Sequence, residues 1–118
     1  MLHGGGGSAN SMQYGTADIL AALGSDYEFV YASIGTASTP ETWWDDPVDK
    51  DTPTTDRDHA QTMVNTLNDI VSNEGPFEGI MGYSQGAAAV PVYLSQTPAG
   101  SFDWAVMFCG YVPTTHSG

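Results

Sequence analysis

The composition of this 118-residue chain is that of one acidic globular domain. Its 14 acidic residues against two basic ones give a formal net charge of −12, which would repel nucleic acid phosphates and anionic lipid head groups. Hydrophobic residues make up 41% of the chain, yet no apolar run approaches the roughly 20 residues of a membrane-spanning helix. We therefore expect a soluble domain, residues 1–118, that neither binds nucleic acid nor spans a membrane.

The chain has a single cysteine, Cys109, which cannot form an internal disulfide. Because Cys109 follows an apolar run at residues 105–108, we expect a buried thiol. The N-terminal residues lack the basic start and long apolar stretch of a secretory signal. Together these features favour a cytoplasmic location.

The N-terminus passes from Met1-Leu2-His3 directly into glycines at positions 4–7. A His-Gly-Gly-Gly loop after a strand is the type that supplies an oxyanion-hole N–H in certain hydrolases, so Gly4 and Gly5 are candidate oxyanion residues. One alternative is a flexible glycine tail. A phosphate-binding loop is disfavoured, because no Gly-Lys-Ser/Thr sequence follows.

The next segment predicts a helix and then a strand. Ser8, Asn10 or Ser11 can cap a helix that runs to about Leu23. Residues 27–34 are rich in aromatic and β-branched types, which predicts a strand.

Residues 35–55 predict a long loop, because Thr, Pro, Asp and Gly dominate their composition. Trp43 and Trp44 lie in its middle, and we expect them to anchor the loop against the domain rather than line an acyl pocket. Five aspartates in this region lack the central glycine of an EF-hand loop, so they predict a solvated acidic surface and no metal site. They are Asp45, Asp46, Asp49, Asp51 and Asp56.

The second half of the chain alternates between helix and strand. Apolar residues at helical spacing predict an amphipathic helix over residues 56–73, followed by a buried strand at 76–81. A helix over residues 85–96 should be kinked by Pro91, and residues 102–108 predict another strand. This alternation predicts an α/β fold: a three-layer α/β/α sandwich around a doubly wound, mostly parallel sheet.

Between the strand at 76–81 and the following helix lies Gly82-Tyr83-Ser84-Gln85-Gly86, a Gly-x-Ser-x-Gly motif. In this strand–turn–helix context the motif predicts a nucleophile elbow, in which a strained turn exposes the serine hydroxyl. The glycines are needed because a Cβ two residues before or after the serine would clash in so tight a turn. The N–H of Gln85, at the start of the helix, is the expected oxyanion donor.

Residues 75–88 resemble the elbow of the FSH-type serine hydrolases, within the α/β-hydrolase superfamily. The resemblance extends to Leu2-His3-Gly4 with Ser8, to Trp43-Trp44 and to residues 102–111, so it covers nearly the whole chain. It implies a truncated α/β-hydrolase fold and an esterase or thioesterase acting on small acyl substrates through Ser84, without a cofactor. Acyl-protein thioesterase-like carboxylesterases carry a similar elbow, whereas cutinases are disulfide-bonded and fit a single cysteine poorly.

α/β-Hydrolases place their triad acid and then their histidine after the serine, and only Asp103 and His116 follow Ser84 here. Asp103 precedes its strand whereas Ser84 follows its own. In a parallel sheet the two residues are therefore separated by roughly 20 Å, and Asp103 is excluded as the acid. His116 follows its strand at the correct end and is the candidate base, although in the resembled family this histidine comes much later.

The chain is therefore predicted to be a fragment that lacks part of its first strand and the segment with the triad partners. Met1-Leu2 should lie between the strand at 27–34 and the strand that leads to Ser84. Unpaired apolar sheet edges would then favour self-association. A second hypothesis for the function is a catalytically inactive, hydrolase-like module that binds small acyl ligands.

Overall fold

The computed structural model describes residues 1–34, 42–43 and 57–110, with the side chains of 57–60 excepted. No helix in these ranges combines the length and apolar character of a membrane span. The elements are, in chain order, α1 (Ala9–Gly15), α2 (Ala17–Leu23), a short 3-10 turn (Gly24–Asp26), α3 (Arg57–Glu74), β1 (Gly79–Tyr83), α4 (Gln85–Ser95) and β2 (Trp104–Phe108).

The sheet is parallel, as predicted. β1 pairs with β2 in a register that joins Gly79 to Trp104 and Tyr83 to Phe108. Leu2 forms parallel bridges to both Ala32 and Gly82. The N-terminal residues therefore lie between the segment near Ala32 and β1, which confirms their predicted central position. The described residues form this small parallel sheet and not a complete three-layer sandwich.

The strand predicted over residues 27–34 is reduced to a bridge at Ala32. Hydrogen bonds join this segment to the first residue: the Ala32 N–H donates to Met1 O at 3.0 Å, and the Met1 amino group donates to Val30 O at 2.7 Å. A β-branched and aromatic composition fits a strand but does not supply its hydrogen-bonding neighbour.

The single helix predicted to run to Leu23 is instead two helices that meet at Thr16. Ser8 caps α1 through a reciprocal pair of hydrogen bonds with Ser11. The Thr16 hydroxyl donates to Met12 O at 2.7 Å and lies 3.2 Å from the hydroxyl of Tyr31. Thr16 has φ −108° and ψ 12°, outside the α-helical range, and a Thr hydroxyl that bonds to the carbonyl four residues earlier is of the kind that bends helices.

The core lies between α3, α4 and the sheet. The amphipathic pattern of α3 is confirmed, because Met63, Val64 and Leu67 are buried. Helix α4 contacts both strands and is buried along most of its length. The Tyr93 hydroxyl of α4 donates to Asn68 Oδ1 of α3 at 2.9 Å, and burial raises the pKa of Tyr93.

The expectation of a buried thiol at Cys109 is wrong, because Cys109 is exposed. Cys109 directly follows β2, and β2 has a hydrogen-bonded neighbour on only one side within the described sheet. Met107, in β2 itself, is 52% exposed. The apolar composition of this segment predicted a strand. Burial of its side chains, however, depends on another element packing over the strand, which the local sequence does not specify.

Candidate active site

Ser84 forms the turn between β1 and α4. Its backbone has φ 53° and ψ −116°, a positive-φ conformation that residues other than Gly seldom adopt. Hydrogen bonds hold the turn on both sides: the Ser84 N–H donates to Phe108 O at 2.9 Å, and Ser84 O accepts from the Ala88 N–H at 3.1 Å. The strand–turn–helix context predicted for the motif is present, and the side chain is only partly buried.

The two motif glycines are required by different neighbours. A Cβ at Gly82 would overlap the carbonyl of Gly86, as the tight turn predicts. A Cβ at Gly86 would instead overlap the carbonyl oxygens of Leu2 and His3. Gly86 therefore allows the N-terminal segment to pass close against the first turn of α4, a contact that the motif by itself does not reveal.

The glycine loop lies beside Ser84. A Cβ built on Gly4 would be 3.2 Å from Tyr83 Cδ1 and 3.4 Å from Ser84 Cβ, and one built on Gly5 would be 3.6 Å from Gln85 Oε1. The loop also closes on itself, because the Gly7 N–H donates to Gly4 O at 3.0 Å. The structure thus brings Gly4, Gly5, Ser84 and Gln85 together.

The buried side chain of His3 contacts this loop. Its ring is 1% exposed, with Nδ1 2.8 Å from Gly4 O and Nε2 3.4 Å from the Ile34 N–H. A carbonyl oxygen can only accept and an amide N–H can only donate, so in this arrangement Nδ1 is the donor and Nε2 the acceptor. Both nitrogens are engaged, and His3 is a positioning residue rather than a candidate base.

Trp43 connects His3, at the start of the glycine loop, to Gln85 in α4. It is fully buried; its backbone N–H donates to Gln85 Oε1 at 2.8 Å and its indole Nε1–H donates to His3 O at 2.7 Å. The rings of Trp43 and His3 lie 4.9 Å apart between centroids. The predicted anchoring role is confirmed for Trp43, whereas Trp44 lies outside the described residues. The side-chain role of Gln85 was not foreseen, since the motif indicates only its backbone N–H.

Asp103 lies at the far end of the sheet from Ser84. Its N–H donates to Glu78 O at 2.7 Å, just before β2 begins, whereas the Ser84 N–H bonds to Phe108 O at the end of β2. The five-residue strand separates the two positions by about 16 Å. The exclusion of Asp103 as the triad acid is confirmed.

The candidate base, His116, lies outside the described residues, as do the five aspartates of the long loop. His59 lies in the first turn of α3, and its side chain is likewise outside the described part. Within that part, no side chain hydrogen-bonds to the Ser84 hydroxyl, and no three His, Cys, Asp or Glu side chains are grouped as metal ligands.

A groove of about 700 Å³ adjoins the glycine loop. One side is formed by α1 and α2, including Met12 and Ile19, and the other by Tyr83, Phe108 and Cys109. None of the acidic residues is among the described residues that line it. Apolar side chains and backbone dominate the groove, which is typical of small-molecule sites.

The comparisons with known proteins agree with this geometry. The family model described as serine hydrolase (FSH1) matches residues 1–117. The chain is 29% identical to esterase alnB of Emericella nidulans, 27% to esterase mlcF of Penicillium citrinum and 28% to esterase FUS5 of Gibberella fujikuroi. These matches cover 91%, 92% and 95% of this chain, respectively, but 40%, 55% and 55% of the relatives.

The chain therefore spans about half the length of these curated relatives. No solved structure gives a significant match. The match of the family model to nearly the whole chain, together with the strand–turn–helix geometry at Ser84, shows that the chain belongs to the FSH1 family of serine hydrolases, with the α/β-hydrolase-like fold that this family implies.

Proposed function

We propose that this chain carries the nucleophile and oxyanion site of a serine hydrolase that cleaves a carboxylic ester or thioester. The observation that carries the proposal is the positive-φ backbone of Ser84, at the start of a buried helix and with Gly4 packed against it. A strained serine held in such a turn presents its hydroxyl away from the sheet. The family and the esterases it resembles support the same chemistry.

In the proposed reaction, the Ser84 Oγ attacks the carbonyl carbon while a base takes the hydroxyl proton. The carbonyl π pair moves to oxygen, and the oxyanion accepts hydrogen bonds from the Gln85 N–H and from the N–H of Gly4 or Gly5. Collapse of this intermediate expels the alcohol or thiol, which leaves with the proton. Water then hydrolyses the acyl-enzyme by the same route and releases the acid.

The base remains a prediction. His3 is excluded by its two backbone contacts. His116, the residue predicted from the sequence, is the candidate within this chain. If a longer form exists, the triad partners and the remaining layers of the sandwich would lie in its additional segments.

A fluorophosphonate probe tests the proposal, because it forms a covalent bond to serine only where the hydroxyl is activated. We expect intact-mass spectrometry to show one adduct on the 118-residue chain and none on Ser84→Ala. Ser101→Ala is the matched control, because Ser101 is exposed at the other end of the sheet, and it should label like wild type. His116→Ala should slow labelling by about 10²-fold or more if His116 is the base.

Absence of the adduct from the wild-type chain would contradict hydrolase activity in these 118 residues. It would favour the second candidate, an inactive binding module.

We also propose that the unpaired side of β2 allows copies of the chain to associate. The strand carries Met107 and Phe108, which are 52% and 38% exposed, and its outer edge has no partner within the described sheet. Exposed apolar strand edges are templates for pairing with another chain.

A further inference from the structure

Trp43 is hydrogen-bonded to both backbone segments that carry the candidate oxyanion donors. Its indole Nε1–H donates to His3 O at 2.7 Å, and its backbone N–H donates to Gln85 Oε1 at 2.8 Å. His3 immediately precedes the glycine loop, whereas Gln85 is the first residue of α4. One buried residue from a distant part of the chain therefore joins the two sides of the site.

The bond to His3 O also constrains the Gly4 N–H. His3 O and the Gly4 N–H belong to one peptide unit, which is planar and trans, so the N–H points away from the direction in which the carbonyl is held. Gly4 is followed by three further glycines, the residue type whose backbone is least restricted. The local sequence therefore does not hold this N–H in one direction, and the contact with Trp43 does.

The bond to Gln85 lies under the same loop. Gln85 is 2% exposed, and a Cβ built on Gly5 would be 3.6 Å from Gln85 Oε1. Hydrogen bonds between buried groups are strong because the surroundings have a low dielectric constant, and breaking one deprives a buried acceptor of a partner. Trp43 thus holds the glycine loop and the start of α4 in one relative position.

We propose that Trp43 is a positioning residue of the hydrolase site, which fixes the Gly4 N–H relative to the Gln85 N–H. This inference rests on the proposed function. Oxyanion donors are effective because they are already in place when charge develops on the carbonyl oxygen, and a displacement of about 1 Å can cost about 10²-fold in rate. Trp43 is fully buried, so it acts through His3 and Gln85 and not on the substrate.

Saturation kinetics of the fluorophosphonate reaction separate positioning from binding, because they give a limiting rate of labelling, kinact, and a half-saturation constant, KI. Trp43→Phe keeps an aromatic ring but removes the Nε1–H. We expect kinact to fall by about 10- to 100-fold and KI to stay within about twofold, since only the reacting geometry is disturbed.

Trp104→Phe is the matched control, because it makes the same substitution at the start of β2, the far end of the sheet from Ser84. It should leave both constants within about twofold of wild type. Equal losses of kinact in the two variants, or a rise in KI that accounts for the slower labelling of Trp43→Phe, would overturn the proposal.

Gln85→Met tests the other hydrogen bond and serves if Trp43→Phe does not fold. It removes the amide oxygen from an unbranched side chain of similar length and should also lower kinact. If the two bonds act as one connection, the double variant should label no more than about twofold slower than the slower single variant. Multiplication of the two single effects would show that the bonds act independently and would overturn the proposal.

Amide hydrogen exchange followed by NMR tests the same connection without catalysis. The Gly7 N–H reports on the loop, because it donates to Gly4 O, and the Ser84 N–H reports on the sheet, because it donates to Phe108 O. In Trp43→Phe we expect exchange at Gly7 to be at least about tenfold faster and exchange at Ser84 to stay within about twofold. Equal acceleration at both positions, or none at Gly7, would overturn the positioning role.

The hydrolase activity and the role of Trp43 fail in different ways. An unlabelled wild-type chain, with exchange accelerated at Gly7 alone in Trp43→Phe, would remove the hydrolase proposal and support the placement of the loop by Trp43. An adduct on Ser84 whose kinact is unchanged in Trp43→Phe would retain the hydrolase proposal and overturn the role of Trp43.

Discussion

Gly86 is the residue at which the turn after Ser84 has the least room. A Cβ at this position would overlap the carbonyl oxygens of Leu2 and His3, both of which are backbone atoms that cannot rotate away. Relief would require either the N-terminal segment or the start of α4 to move. Because the Leu2 N–H donates to Met81 O and the Tyr83 N–H donates to Leu2 O, such a shift would also disturb the sheet.

We therefore predict that Gly86→Ala lowers the free energy of unfolding by about 3 kcal/mol, the upper end of the usual cost of overpacking. Urea denaturation followed by circular dichroism measures the change. Gly15→Ala is the matched control, since no atom lies within 4 Å of its Cβ and alanine favours helix. It should be neutral or stabilising by up to about 1 kcal/mol, and an equal loss in both variants would contradict the steric argument.

The contacts among His3, Trp43 and Gln85 could not be predicted from the sequence. The motif identifies Gln85 through its backbone N–H, and the paired tryptophans suggest an anchor. The sequence does not indicate that Gln85 Oε1 accepts the Trp43 N–H, because these residues are 42 positions apart. A buried N–H must find a partner, but which side chain supplies it depends on the packing of distant segments.

Helix α4 continues through a proline. The helix spans Gln85–Ser95 and contains Pro91, whose side chain is exposed while Val90 and Val92 are buried. The proline lacks the N–H that would bond to the preceding turn, and its ring crowds the carbonyl four residues earlier. Burial of the surrounding apolar side chains offsets this cost, so the helix forms despite its local sequence.

Replacing Pro91 by alanine should therefore stabilise the protein. We expect a gain of about 2 kcal/mol, from the roughly 3 kcal/mol cost of an interior proline less about 1 kcal/mol for the greater freedom of the unfolded chain. Thermal and urea denaturation would measure it. Pro98→Ala in the exposed turn after α4 is the control and should be neutral or slightly destabilising. A loss of stability in Pro91→Ala would show that the proline is required by the tertiary structure.

For the whole molecule, net charge and exposed apolar surface have opposite effects on association between copies. The net charge of −12 repels copies of the chain, whereas the proposed pairing through β2, whose outer edge has no partner within the described sheet, would favour association. Salt screens the repulsion between copies, with a Debye length of about 10 Å at 0.1 M, and leaves the apolar attraction in place.

Analytical ultracentrifugation should therefore show a mass that rises with protein concentration and more steeply at 0.5 M than at 0.05 M salt. Met107→Lys places a charge on the exposed strand and should hold the protein at the monomer mass. Tyr14→Lys makes the same change at a residue that is 86% exposed on α1 and should associate like wild type. A wild-type chain that stays monomeric at high salt would exclude association through β2.

The local sequence by itself determined the candidate nucleophile and the order of elements in the second half of the chain, α3, β1, α4 and β2. Amphipathic spacing defined α3, the Gly-x-Ser-x-Gly motif spans the end of β1 and the start of α4, and Ser8, one of three candidate caps, begins α1. These features depend on neighbours within a few residues, so they can be inferred from a single sequence.

Only the tertiary structure decided which segments complete the site. It split the first helix at Thr16, reduced the strand near Ala32 to one bridge, exposed Cys109 and packed His3 and Trp43 beneath the glycine loop. The last three outcomes depend on hydrogen-bond or packing partners that are distant in the chain, whereas the break at Thr16 also involves Met12, four residues earlier. The identity of Ser84 as candidate nucleophile is therefore a property of local sequence, whereas its surroundings, including the groove, follow from long-range packing.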